Sequence, residues 1–167
     1  MLNMKNPILI LAISISMVAC NNAQEKKDKE NMEVVSQYVK AVENMDFDAM
    51  NNFLADDYMG LGPSYGDTIF KSEAIENWKY NVENLYERIQ YKRSKFAPVS
   101  IKDGDNKGEW VGSWAELQIV YKNGDEVMIW SNSDYLIENG KIIRTITLYN
   151  EADALRQLGY KIVPDED

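Results

Sequence analysis

Residues 134–142 read Asp134-Tyr135-Leu136-Ile137-Glu138-Asn139-Gly140-Lys141-Ile142. A two-residue hairpin turn needs positive φ at both central positions, which Asn and Gly tolerate best. The stretch therefore predicts two antiparallel strands joined at Asn139-Gly140. A second pair, Asn123-Gly124, predicts another hairpin just upstream. Working outward, the apolar period is two from about Glu87 onward. The segments 89–101, 109–121, 126–137 and 141–149 read as strands of one antiparallel meander.

Upstream of the meander the period is that of helices. Val34, Val35, Tyr38, Val39 and Val42 form one stripe of a first helix over about 32–44. Asp46 suits the N-cap of a short second helix, with Phe47, Met50, Phe53 and Leu54 as its apolar side. Asp56-Asp57 ends it. A short strand and turn over 58–65 and a second short strand over 67–70 follow. Ser72 then caps a third helix to about Tyr86, whose seam is Ile75, Trp78, Val82, Leu85 and Ile89. At the other end, Asn150 caps a last helix over 151–158, closed by Gly159. A strongly curved sheet folded around such helices makes a cone with one open mouth, and the inside of a cone is a natural small-molecule site.

The N-terminus reads differently. Lys5 precedes an uncharged apolar run from Pro7 to Ala19, the form of a cleaved export signal. The run is shorter than the ~20 residues a bilayer span takes. Met17-Val18-Ala19-Cys20 resembles the lipobox of bacterial lipoproteins, and Cys20 is the chain's one cysteine. The expected organisation is a signal peptide at 1–19, a lipidated Cys20 with a flexible polar tether through residue 31, and one α+β domain at 32–167. The expected location is the cell envelope, on a Gram-negative outer membrane, with palmitate-type acylation as the sole membrane contact. The formal net charge is −9, and removal of Lys5 makes it one unit more negative. Such acidity argues against nucleic-acid partners. The chain has no histidine, so a zinc site or a histidine triad is not expected. The stretch 103–108 begins like a calcium loop, but Lys107 and Trp114 stand where ligands belong, so it reads as a turn. No metal or cofactor is expected.

The order of elements, with particular residues, resembles the nuclear transport factor 2-like superfamily, which includes ketosteroid isomerases and SnoaL-like polyketide cyclases. The resemblance covers about 32–160. It rests on Val34-Val35-Ser36-Gln37-Tyr38-Val39 through Asp46-Phe47-Asp48 to Phe53-Leu54-Ala55-Asp56-Asp57, on the strand–turn–strand at 134–142, and on Tyr149-Asn150 with Leu155-Arg156-Gln157-Leu158-Gly159. It implies an α+β roll, a cone-shaped curved antiparallel sheet wrapped around N-terminal helices. It further implies an oxyanion pair at Tyr38 and Asp134, as in ketosteroid isomerases. The family's catalytic base falls on Gly62, which implies no steroid isomerase activity. Asp67, Glu116 and Asp57 are possible substitutes that the sequence does not place. The fold hosts many activities and does not choose among them.

A two-residue turn at Asn139-Gly140 sets Asp134 opposite Thr145, Asn132 opposite Thr147 and Trp130 opposite Tyr149. These six then share one face, whose mix of aromatic and polar groups resembles a pocket wall. Val111, Ser113, Ala115, Leu117 and Ile119 join that face. Trp110, Gly112, Trp114, Glu116 and Gln118 take the outer one, where a tryptophan pair suggests a homodimer or partner surface. A bulge would turn the tryptophans inward, and the sequence leaves both orientations open. The leading expectation is a lipid-anchored binder of a small, partly apolar molecule through Tyr38, Trp130, Asn132, Asp134, Thr145, Thr147 and Tyr149. The alternatives are an isomerase, cyclase or dehydratase acting on a carbonyl compound, and a protein-interaction module with Trp110 and Trp114 as anchors.

Overall fold

The computed structural model describes the backbone of residues 7–161 and 163, and side chains from residue 22 onward. The start of the expected signal peptide and the Cys20 side chain lie outside what is described. The elements in chain order are α1 (Pro7–Glu43), α2 (Phe47–Phe53), β1 (Leu54–Leu61), β2 (Thr68–Phe70), α3 (Lys71–Asn84), β3 (Tyr86–Ile101), β4 (Gly108–Tyr121), β5 (Glu126–Glu138), β6 (Lys141–Tyr149) and α4 (Glu151–Gln157). No described helix is long and apolar enough to cross a membrane.

Residues 22–31, expected as part of a tether, continue α1 as helix. They contain no Gly or Pro, and they carry helix-supporting pairs four residues apart. Gln24 donates to Asp28 at 2.8 Å, and Lys26 faces Glu30 at 3.7 Å. Gln24 also reaches Glu109 of β4 at 3.2 Å. Asp46 caps α2 by accepting from the Ala49 N–H at 2.9 Å, as the sequence predicts. Asn150 caps α4 in the same way, accepting from the Asp153 N–H at 3.0 Å. The third helix starts one residue before the expected cap, with the Phe70 N–H donating to Glu73.

The six strands form one curved, open sheet in the order β2-β1-β6-β5-β4-β3. The sheet is mixed, because β1 runs parallel to β6, whereas the sequence suggested antiparallel pairing throughout. The predicted meander β3–β6 is antiparallel. The α1 stripe packs into the concave face: Val35, Tyr38, Val39 and Val42 are buried with Met50, Ile89, Val111, Val127 and Ile142. Glu43 fastens the end of α1 to the sheet by accepting from the Tyr91 N–H at 2.7 Å.

The facing of β5 is the main correction. The Asn139-Gly140 turn forms as expected, with φ of 50° and 73°. However, β6 carries one extra residue at Ile143: Ile137 pairs with Ile142, and Leu136 pairs with Arg144. Asp134 therefore lies opposite Ile146, Asn132 opposite Leu148, and Ser131 opposite Tyr149. The other turn also differs. Gly124 alone has positive φ there, and Tyr121 closes onto Asp125 around three residues. This is a turn with a glycine bulge, and it too shifts register by one. The two shifts cancel between β4 and β6. Only β5 is turned over, and a one-residue slip moves every side chain to the other face.

Candidate functional site

The concave face and the helices enclose a cavity of about 480 Å³. Seven of the chain's ten tyrosines line it, and they come from different elements. Tyr38 projects from α1, Tyr58 from β1, Tyr86 and Tyr91 from β3, Tyr121 from β4, Tyr135 from β5 and Tyr149 from β6. Thr145 and Thr147 of β6 and Ser131 and Ser133 of β5 add hydroxyls. Alternation along each strand produces this lining, since residues two apart share a face.

The polar groups are organised at two depths. At the buried end, Tyr58 and Thr145 share a 2.6 Å hydrogen bond, and Ser133 and Thr147 share one at 3.1 Å. The Tyr38 ring meets Tyr135 edge-on at 6.0 Å between centroids, and Phe53 at 6.4 Å. Burial pushes the Tyr38 hydroxyl well above its ordinary range, and the neighbouring Tyr58, Tyr135 and Tyr91 push it further. Burial also raises Tyr135 to about 12, partly offset by a hydrogen bond from Ser133. Burial raises Tyr91 in the same way. These hydroxyls stay neutral at any ordinary pH. Toward the mouth, Tyr86 meets Trp78 of α3 and Tyr121 edge-on, at 6.4 and 5.6 Å between centroids.

Of the seven expected binding residues, the structure brings four to the cavity: Tyr38, Thr145, Thr147 and Tyr149. The other three, Trp130, Asn132 and Asp134, sit on the outer face because β5 is turned over. Trp130 is 71% exposed. Asp134 lies over Gly112 beside Trp114, and burial there raises its carboxyl. Tyr38 and Asp134 are thus on opposite sides of the sheet and cannot hold one oxygen together. Their expected oxyanion pairing is corrected accordingly.

Gly62 lines the cavity, at the place where the resemblance puts a base. Its φ is +91°, and a Cβ there would lie 2.3 Å from the Thr147 carbonyl oxygen. This backbone cannot carry a carboxylate at residue 62. The suggested substitutes are elsewhere: Glu116 pairs with Arg93 on the outer face, and Asp57 and Asp67 are exposed outside the wall. Among the described residues the one carboxylate lining the cavity is Glu151, exposed at its rim.

The outer face also differs in detail. Trp110 is only 5% exposed, because the β3–β4 loop covers it and Asn106 accepts from its indole N–H at 2.8 Å. Trp114 is 47% exposed and shares a shallow apolar groove with Trp130 and Leu148. The expected pair Trp110 and Trp114 is replaced by Trp114 and Trp130.

Sequence reasoning missed Tyr58, Tyr86, Tyr91, Tyr121, Tyr135, Trp78, Ser131 and Ser133. The available signal was the abundance of tyrosine on strands of known period. It became readable only once the facing of each strand was fixed.

Neither a family model nor a curated protein sequence matches the chain. Solved structures do. A candidate polyketide cyclase of Xanthomonas campestris pv. campestris superposes with a TM-score of 0.66 at 19% identity, over 78% of this chain and 98% of the other. An LEH-like epoxide hydrolase of M. tuberculosis gives 0.60 at 16% identity, over 79% and 91%. An NTF2-like protein of unknown function from Burkholderia pseudomallei K96243 gives 0.58 at 18% identity, over 78% and 98%. At these identities the likeness is one of fold.

Proposed function

Because the chain has the nuclear transport factor 2-like fold, shared with SnoaL-like proteins, we propose that it binds a small, partly apolar molecule in the cavity of its cone. The observation that carries this reading is the wall itself. An ordinary core is filled and aliphatic, whereas this one leaves about 480 Å³ among tyrosine, serine and threonine hydroxyls. That volume falls in the range of small-molecule sites. Tyr38, Thr145, Thr147 and Tyr149 remain the binding candidates, joined by Tyr58, Tyr91 and Tyr135. A fluorescence titration tests it. Trp78 sits in the wall and reports occupancy when steroids, phenols, polyketide-like ketones and fatty acids are added in turn. The expected result is saturable binding by at least one class, weakened severalfold in Tyr38→Phe. Flat titrations across the panel reject the reading.

A catalytic reading has one observation in its favour, the neutral Tyr38 hydroxyl held among three other tyrosines, which suits a developing oxyanion. Among the described residues it lacks an interior carboxylate to move a proton. Turnover of a bound ketone, abolished by Tyr38→Phe, would favour it.

From the apolar run and small residues that precede Cys20, we also propose that the domain belongs to the cell envelope, on a Gram-negative outer membrane, tethered by acylated Cys20. One lipid chain anchors reversibly, and two or three hold firmly. Cys20→Ser is expected to move the protein from the membrane fraction to the soluble fraction. Membrane retention of that variant would remove the anchor from the proposal.

A further inference from the structure

The cavity is lined by aliphatic side chains, aromatic rings, hydroxyls and amides, and among the described residues no Lys or Arg lines it. Its rim carries Glu151, and just behind its wall the Glu43 carboxylate bonds the Tyr91 N–H at 2.7 Å. The rings at the mouth are not stacked flat. Trp78, Tyr86 and Tyr121 meet edge to face, with interplanar angles of 68° and 72°, so they wall a corner from different directions. Resting on the binding reading above, we propose that the ligand is an organic cation, an alkylated or quaternary ammonium on a partly apolar body, caged by Trp78, Tyr86, Tyr121 and Tyr149 beneath Glu151.

The argument is electrostatic and geometric. The face of an aromatic ring is its negative side, and rings around a corner attract a cation that has shed its water. An anion would meet hydroxyl and amide donors but, among the described residues, no cationic side chain, and burial of a charge without a counter-charge is costly. The surrounding charges have the same sign. Burial is the main reason the Tyr91 and Tyr149 hydroxyls resist ionisation, and Glu43 adds to it at Tyr91, Glu151 and Asp67 at Tyr149. The carboxylates near these two rings carry negative charge and favour a cation over an anion. The whole chain, at −9, draws cations toward its surface as well.

Calorimetry with matched probes tests this. (4-Hydroxyphenyl)trimethylammonium and 4-tert-butylphenol have nearly the same shape and differ in charge, and 4-tert-butylbenzoate supplies the anion. The expected result is that the ammonium binds about tenfold tighter than its neutral twin, and that the benzoate does not bind. Raising the salt concentration should weaken the ammonium alone. Tyr86→Leu should erase most of the difference between the twins. Glu151→Gln should narrow it about two- to threefold. Equal or tighter binding of the neutral twin overturns the cation assignment and leaves the binding reading standing. So does a Glu151→Gln variant with unaltered preference. Binding of ring ketones with no ammonium binding has the same meaning. If neither the twins nor the wider panel bind, the cavity reading falls and takes this inference with it.

Discussion

At the scale of single residues, Gly62 does more than omit a base. Its backbone lies against the Thr147 carbonyl at a φ reserved for glycine, so residue 62 is fixed by sterics before any chemistry is asked of it. Gly62→Ala is expected to destabilise the fold by about 2–4 kcal/mol, from the contact and the backbone strain together. Urea denaturation measures this, and a midpoint equal to that of the parent would show that β6 can yield there. Tyr38 illustrates the opposite case. Its place on the α1 stripe was legible from the three-and-four spacing of Val34, Val35, Val39 and Val42. Its role as one of a cluster of hydroxyls was not, because Tyr58, Tyr91 and Tyr135 come from three separate strands.

At the scale of elements, β5 separates what was read correctly from what was not. Its bounds and its alternation were legible to within a residue. Its facing depended on the hidden bulge at Ile143 and on a turn that takes three residues where two were expected. Both are register choices that cost little locally, and the packing of the whole sheet decides them. A spectroscopic consequence follows. Trp130 and Trp114 should be the tryptophans most readily quenched by acrylamide, and Trp110 among the least. Trp130→Phe should therefore remove a large share of the quenchable emission, and Trp110→Phe little of it. Strong quenching that survives Trp130→Phe and disappears with Trp110→Phe would argue for the facing expected from ideal turns. The short helix α4 offers a further test, since it has no fully buried residue and yet forms part of the cavity wall. Gln157 holds it by pairing with both backbone groups of Met128, at 2.9 and 3.0 Å, where β6 no longer covers β5. Gln157→Ala should cost about 1 kcal/mol and speed hydrogen exchange at the Met128 amide. Unchanged exchange would show that α4 is held in some other way.

At the scale of the whole molecule, the tyrosine-walled interior governs the alkaline limit of stability. In the unfolded chain a tyrosine ionises near its ordinary 10.0, while in the fold Tyr86 and Tyr135 are raised to about 12, chiefly by burial. The folded state then holds protons that the unfolded state has lost. The sign is fixed: these groups' contribution is full below pH 10 and is lost as pH rises toward 12. The slope is about 1.4 kcal/mol per pH unit for each such tyrosine. Unfolding in this window should coincide with the rise of tyrosinate absorbance. Interior tyrosines that ionise in a still-folded protein would contradict the burial. On the outside, self-pairing of the sheet would centre on Trp114, Trp130 and Leu148, with Trp110 excluded. Sedimentation should then show a dimer that Trp130→Glu converts to monomer, and a parent that is monomeric at high concentration removes the idea.

From residue 32 onward the sequence by itself determined the number and order of the elements and the caps at Asp46 and Asn150. These follow from spacing and local backbone chemistry, which act over a few residues. It also determined that β4, β5 and β6 would lie side by side, because Asn-Gly turns join them directly. Tertiary structure alone decided which face of β5 points inward, that β1 lies parallel to β6, and that seven tyrosines from six elements converge on one cavity. Those outcomes depend on register and on contacts between distant segments. A single extra residue in one strand reverses a face without leaving a trace in the local pattern.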